Sequence, residues 1–517
     1  MEKSICHSKH GWRPELVSVL LALWLTACGG GDSPSSSSAQ AATQTSAVGQ
    51  TDAAKPVQTA PPVRGQTATP VQAAAPAQTA VPNIEEFRVN TTTVGAQTIP
   101  AIARLKDGSH VIAWISERLS DVGGLAGVQG VCTQRYGADG QALGEEACMA
   151  PNVAASSRPV AAALADGGYL LAWAEKQDNN NPLSNSNIWA QRIHPNGSAV
   201  GSAQQINSVT SGTSGTRNSL LRSGLSATGL ADGGYVVAWV SASTPTTGGE
   251  IFARRFGADG VPCPCGPEKQ VNTFTGSSGE GSRGQPVVAA LKDGGYVIVW
   301  VFMNPNDQVG SVRAQRYGAE HSSGPVGSET QLASNPLGDP FFIGAGQPAI
   351  AGLGDGGYAL AYRLKSLTPD EKSFLFQVVV QPFSADGTAL AAQSLVDPPV
   401  PGVPLRICTG SRLLPNTPCP PDQHNPAIAA LDDGSFVAAW TANVSSTFAN
   451  ESFIRRYSNK AVPLAAPSQF TARGDNAALS PTSGGGFVVA FDEFNVFAAI
   501  PSTSEIKARY FDSQAFR

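Results

Sequence analysis

The ten residues Leu164-Ala165-Asp166-Gly167-Gly168-Tyr169-Leu170-Leu171-Ala172-Trp173 decide the fold. An aspartate followed by glycines between two apolar runs supports the positive φ of a hairpin turn, and the second run ends on an aromatic residue. The phrase also stands at Leu105-Lys106-Asp107-Gly108-Ser109-His110-Val111-Ile112-Ala113-Trp114. It returns at Asp232 to Trp239, Asp293 to Trp300, Asp355 to Tyr362, Asp433 to Trp440 and Gly484 to Phe491, making seven copies. The closing aromatics fall at 114, 173, 239, 300, 362, 440 and 491, in steps of 59, 66, 61, 62, 78 and 51. A unit near sixty residues that varies only by insertion is a repeated supersecondary structure with loops of free length.

Each unit carries further β-rich runs. Pro286-Val287-Val288-Ala289-Ala290-Leu291 precedes one turn, Ile251-Phe252-Ala253-Arg254-Arg255-Phe256 follows another aromatic, and Lys269-Gln270-Val271-Asn272-Thr273 comes after that. Four short runs with turn chemistry between them and no helical period predict a four-stranded antiparallel meander, the blade of a β-propeller. The expected fold is therefore all-β: a seven-bladed β-propeller of four-stranded antiparallel blades over residues 83–517. The last unit has Ile506-Lys507-Ala508-Arg509-Tyr510-Phe511 as its third strand and no room for a fourth. The first is preceded by Phe87-Arg88-Val89-Asn90-Thr91, which matches Gln270-Val271-Asn272-Thr273 and Gln205-Ile206-Asn207. An N-terminal strand is thus expected to close the ring on the last blade and to cover an edge open to aggregation.

Composition agrees. Only 14% of residues are charged, while Gly 55 and Pro 38 are high, as suits short strands and many turns. Without residues 1–27, which hold Lys3, Lys9 and Arg13 against Glu2 and Glu15, 31 basic and 37 acidic residues remain. That balance offers no basic footprint for nucleic acid.

The N-terminal segment reads as an address. Three basic residues precede the apolar run Leu16 to Leu25, too short to span a bilayer and suited to an export signal. The following Leu25-Thr26-Ala27-Cys28 resembles the bacterial lipobox. The resemblance implies removal of residues 1–27, lipidation of Cys28 as the mature N-terminus, and a membrane partner reached through that lipid. Gly29 stands where inner-membrane retention would place Asp, which implies the outer membrane. Several acyl chains would anchor firmly, at about 0.8 kcal/mol per buried methylene. Residues 28–82 are expected to be a tether, because Gly29 to Pro82 holds no Phe, Trp or Tyr and cannot bury enough surface to offset ordering entropy. As a flexible coil this stretch spans roughly 40 Å.

Six cysteines then remain, an even number for an oxidising compartment. Cys132 with Cys148 and Cys408 with Cys419 are the expected local pairs; Cys263 and Cys265, with Pro264 between them, read as a strained disulfide or as two free thiols.

The phrases Ala314-Gln315-Arg316-Tyr317 and Arg135-Tyr136-Gly137-Ala138-Asp139-Gly140, with the Asp-Gly-Gly motif, resemble repeats of large secreted bacterial proteins of adhesin-like or hemolysin type, over about Pro82 to Arg517. The resemblance implies architecture and supplies no active site. Sialidase-type Asp boxes also end in Trp but place Ser before the Asp and a spacer before the Gly, both lacking here.

The Asp-Gly aspartates are expected to build turns, because a calcium loop alternates several oxygen ligands and this phrase has one. The tryptophans are expected to pack between blades rather than to form a sugar platform. Short turns fall on one face and long variable connections on the other, so recognition is expected on the long-loop rim. Candidate rim residues are Glu175, Asp178, Asn180, His424, Asp492 and Glu493. His110, His194, His321 and His424 lie in separate blades, and no catalytic phrase appears. Arg473-Gly474-Asp475 is read as a coincidental tripeptide in an inter-blade loop. The leading functional expectation is a binding or scaffold module for a protein or glycan ligand, with no cofactor or metal. The alternative is a carbohydrate-active hydrolase or lyase on the same rim.

Overall fold

The computed structural model describes residues 85–513 apart from 119–127, 150–157, 177–185, 209–223, 242–248, 265–266, 274–281, 304–309, 321–323, 336–347, 368–373, 398–421, 445–448, 472 and 495–503. Seven antiparallel sheets of four strands follow one another along the chain. Their first strands are Gln97–Arg104, Val160–Ala163, Leu225–Gly229, Ser282–Ala290, Ala349–Gly352, Asp422–Ala430 and Gly474–Pro481. Each packs against the first strands of both neighbours, and the last meets the first. The chain is the expected seven-bladed propeller, with these strands innermost.

The repeated aspartate does two jobs. In blade 1 the Gly108 amide donates to the Leu105 carbonyl at 3.0 Å and the Leu105 amide to the Ser109 carbonyl at 2.7 Å. This is a three-residue hairpin loop whose glycine must take the left-handed region, at φ 84°. The aspartate's Oδ1 accepts from the amide two residues on, as in Gly168 to Asp166 at 2.9 Å. Its Oδ2 takes an arginine of the third strand: Arg192 on Asp166 at 2.8 Å, Arg255 on Asp232 at 2.6 Å, and likewise Arg316 on Asp293 and Arg456 on Asp433. These aspartates are turn residues, as expected, and they also fix strand three to the hairpin of strands one and two.

The closing aromatic of each repeat packs toward the preceding blade. Trp114, Trp300 and Trp440 are 0% exposed, Trp173 and Trp239 3%. Trp239 joins a cluster with Leu170 and Ala172 of blade 2, Trp300 one with Val236 and Ala238 of blade 3, and Trp440 one with Ala359 and Ala361 of blade 5. Removing one such side chain costs about 3–5 kcal/mol.

The ring closes by strand exchange. Phe87 pairs with Ala508 and Arg88 with Lys507, so the N-terminal strand is the outermost of blade 7. The recurring Val-Asn phrase explains the fit. The Val89 amide reaches the Ile506 carbonyl at 2.8 Å, and Asn90 Oδ1 accepts from the Ile506 amide at 2.7 Å. Asn207 and Asn272 do the same for Ile188 and Ile251. The next residue latches the following blade: Thr91 donates through amide and hydroxyl to Glu146, as Thr273 does to Glu329. At the inner side of the seam, buried His110 shares a 3.0 Å hydrogen bond with the Pro481 carbonyl, and Arg104 pairs with Asp432 at 2.9 Å. Beside the seam, Cys132 and Cys148, directly opposed on blade 1, form the expected disulfide. Cys263 is buried; Cys265, Cys408 and Cys419, like Cys28 and the expected signal and tether, lie outside the described residues.

Candidate functional site at the mouth of the central channel

The seven innermost strands enclose a cavity of about 240 Å³. Most of its lining side chains are apolar, Pro100, Ile102, Val160, Val287, Ile350, Ile428 and Leu479 among them, while polar atoms contribute about half of its surface. Polar side chains enter where the inner strands begin, the end fed by the inter-blade connections.

A recurring bulge brings them there. The inner strands of blades 1, 4, 6 and 7 shift register at Thr98/Ala101, Gly284/Val287, His424/Ala427 and Asp475/Ala478. Each shift holds one residue at positive φ: Ile99 at 56°, Gln285 at 54°, Asn425 at 47° and Asn476 at 50°. Such a bulge re-aims its side chain and ends regular pairing. Asparagine tolerates the left-handed region, whereas a β-branched residue there is strained.

Two of the bulged residues, Asn425 and Asn476, converge with Arg158 and Asp475. Arg158, at the start of blade 2, donates through Nη2 to Asn476 Oδ1 of blade 7 at 3.0 Å. Asn425 of blade 6 donates through Nδ2 to Asp475 Oδ1 at 2.7 Å. Asp475 Oδ1 also accepts from the Thr441 hydroxyl at 3.0 Å and the Asn476 amide at 2.7 Å. Arg158, Asn425, Asp475 and Asn476 are all half-buried, and Arg158, Asn425 and Asn476 line the cavity.

Beneath them lies Asp492, cross-strand partner of Asp475 and 0% exposed. Its Oδ2 accepts from the Ile99 amide of blade 1 at 2.9 Å and from Asn476 Nδ2 at 2.9 Å. Oδ1 has no hydrogen-bond partner among the described residues. Burial pushes the Asp492 carboxyl up to about 7, with the Asp475 charge adding to the rise and the Ile99 amide and Arg158 opposing it. Enclosure of the Arg158 guanidinium lowers its pKa, against the pull of Asp475 and Asp492. The residue is half-buried, and a guanidinium stays protonated in such a setting.

The rim residues expected from sequence divide accordingly. Asp492 belongs to the cluster as its buried support, and His424 lies at its edge, with Nε2 3.9 Å from Asp475 Oδ1. His424 is 8% exposed and sits in the inner strand of blade 6 rather than on a loop. Glu493 alternates to the other side of the sheet, where it faces Lys507 Nζ at 3.5 Å. Glu175 lies at the end of the second strand of blade 2, with Oε2 3.5 Å from Trp173 Nε1. Asp178 and Asn180 lie outside the described residues. Arg158, Asn425 and Asn476 were not among the expected residues. Gly474 and Asp475 do not form an inter-blade loop: they open the inner strand of blade 7, and Asp475 is engaged by blade 6.

Among the described residues, the one set of Cys, His, Asp and Glu atoms at metal-ligand spacing is Cys132, Glu146 and Cys148. The two sulfurs are bonded to each other and offer no thiolate.

Neither a protein-family model nor a curated protein matches the sequence. Solved structures do. An α-L-arabinanase of Penicillium chrysogenum, complexed with arabinobiose, is 13% identical with a TM-score of 0.42, covering 85% of this chain and 100% of its own. The NanB sialidase of Streptococcus pneumoniae is 9% identical at 0.42, covering 83% and 70%. The polysaccharide lyase Uly1 is 9% identical at 0.44, covering 86% and 94%. None of these likenesses reaches the level at which chemistry transfers from one chain to another.

Proposed function

We propose that this protein is a lipid-anchored binding module that takes a polar ligand at the mouth of its channel. One observation carries the reading: Arg158, Asn425, Asp475 and Asn476, from three separate blades, converge half-buried on the entrance of a cavity whose other lining side chains are mostly apolar. A few convergent polar groups on an apolar, concave site are the usual make-up of a small-molecule pocket. Amides, a carboxylate and a guanidinium offer both donors and acceptors, the groups that hydroxyls pair with, which favours a glycan. The lipobox-like Cys28 and the aromatic-free stretch after it support presentation of this mouth away from an outer membrane.

A hydrolase or lyase is the second reading, favoured by two carboxylates side by side with the proton affinity of one raised. A general acid must come within about 3 Å of the atom it protonates. Asp492 is fully enclosed, which makes it a support and leaves binding as the stronger reading. A glycan array run beside turnover assays separates the two. Binding lost in Asn425→Ala and Asn476→Ala, without product in the wild type, is the expected result. Product formation abolished by Asp475→Asn would replace the binding reading with the catalytic one. For the anchor, Cys28→Ala is expected to leave the membrane fraction; retention there with unchanged mass would remove lipidation at that residue.

A further inference from the structure

Most buried arginines of this ring are engaged by the protein itself. Arg192, Arg255 and Arg313 each meet a carboxylate within 3.0 Å, Arg283 meets Glu250 at 3.2 Å, and Arg254 and Arg455 donate to backbone carbonyls. Arg158 differs. Among the described residues its guanidinium makes one hydrogen bond, to Asn476 Oδ1, and no carboxylate lies within 4.0 Å. A guanidinium carries five N–H donors in a planar fork. Four remain, on a side chain that lines the cavity. The nearest acids do not compete for them: Asp475 is held by Asn425, Thr441 and the Asn476 amide, and Asp492 by Ile99 and Asn476.

From this contrast we infer that Arg158 is the anchor for an oxyanion, and that the ligand of the channel mouth is an acidic saccharide carrying a carboxylate or a sulfate ester. This inference deepens the binding reading above and rests on it. The fork of a guanidinium pairs with two oxygens of such a group, and charge-assisted pairs of this geometry are the strong ones. The enclosed cation gains the partner it lacks in the protein. Asn425 and Asn476, beside it on the rim, read the hydroxyls that flank the acid group on a sugar ring. The raised proton affinity of Asp492 helps, because a neutral carboxyl beneath Arg158 does not repel the incoming anion.

The test uses the full chain in detergent and calorimetric titration with three probes: a galacturonate oligosaccharide, its methyl ester, and a sulfated galactan oligosaccharide. At least one anionic probe is expected to bind ten-fold or more tightly than the neutral ester, and the two anionic arms tell carboxylate from sulfate. Arg158→Gln is expected to erase that preference at an unchanged melting temperature, and Arg158→Lys to keep part of it. Asn476→Ala is expected to weaken all probes together. Equal binding of acid and ester by the wild type overturns the anion anchor, whether or not any variant folds. So does failure of both anionic probes to bind, or a preference that survives in Arg158→Gln. If in those cases Asn425→Ala and Asn476→Ala still reduce binding of the ester, the channel-mouth reading stands without its anion. Probe binding untouched by all of these variants removes the site itself.

Discussion

Replacing Asp492 by asparagine tests the buried support of the site through its pH dependence. The wild-type carboxyl is raised from an ordinary 3.8 to about 7 in the folded chain. A group whose folded pKa is raised binds its proton more tightly folded than unfolded. Its stabilising proton is therefore fully present below about pH 4 and is lost as pH rises toward and through about 7. Three units at about 1.36 kcal/mol each set a ceiling of about 4 kcal/mol on the stability given up between pH 4 and pH 8. Asparagine mimics the protonated acid: its Oδ1 accepts from the Ile99 amide and from Asn476, and its Nδ2 takes the place of the partnerless Oδ1. Denaturant unfolding of both proteins at pH 5, 6.5 and 8 provides the measurement. Their difference isolates this position from other titrating groups, including Asp475 and Arg158 nearby. The variant is expected to differ little at pH 5 and to be the more stable protein at pH 8, by one to several kcal/mol. Parallel pH profiles, or a variant weaker at pH 8, would refute the buried, proton-holding acid.

Deleting residues 29–80 is expected to leave the melting temperature unchanged, whereas deletion through Asn90 removes the outer strand of blade 7 and is expected to lower it strongly and promote association between chains; equal melting temperatures would sink closure by that strand. Ile99→Asn relieves a β-branched residue at φ 56° and is expected to stabilise by about 1 kcal/mol, read as a shift of the unfolding midpoint with unchanged slope. Asp232→Ala leaves Arg255, whose side chain is 5% exposed, without its carboxylate and is expected to cost about 2 kcal/mol, below the usual range for a fully buried pair because Asp232 is partly solvated. A double mutant with Arg255→Met, recovering part of that loss, would separate the ion pair from the turn.

Much of the fold was legible because its signals are local and repeated. Each Asp-Gly pair declares a left-handed glycine, each closing aromatic a blade interface, and Val89-Asn90 could be matched to its sister phrases without knowing what it touches. The site was legible only in part. Asp492 and His424 stood out as polar residues beside variable connections, but their burial depends on neighbours hundreds of residues away. Arg158, Asn425 and Asn476 were overlooked, although one pattern points to the first two. In Ile99-Pro100, Arg158-Pro159, Gln285-Pro286, Gln347-Pro348 and Asn425-Pro426 the proline recurs while the residue before it changes. A position that varies inside an otherwise repeated phrase is one the blade does not dictate, and at Ile99, Gln285 and Asn425 it falls where the inner strand bulges. The tripeptide Arg473-Gly474-Asp475 misled for a related reason: a strand that starts with a register shift looks like a loop in sequence.

The strand exchange sets an order of events. Phe87 and Ala508 pair across almost the whole folded chain, so a polypeptide made from its N-terminus holds its first strand without a partner until its last has emerged. Bringing ends so distant together costs of order 5 kcal/mol in chain entropy beyond a constant, which delays closure rather than prevents it. During that delay a second chain offers the same Ile506–Ala508 edge to the waiting strand, and two chains that trade strands satisfy every contact of the seam. A swapped pair is therefore the built-in misassembly of this ring.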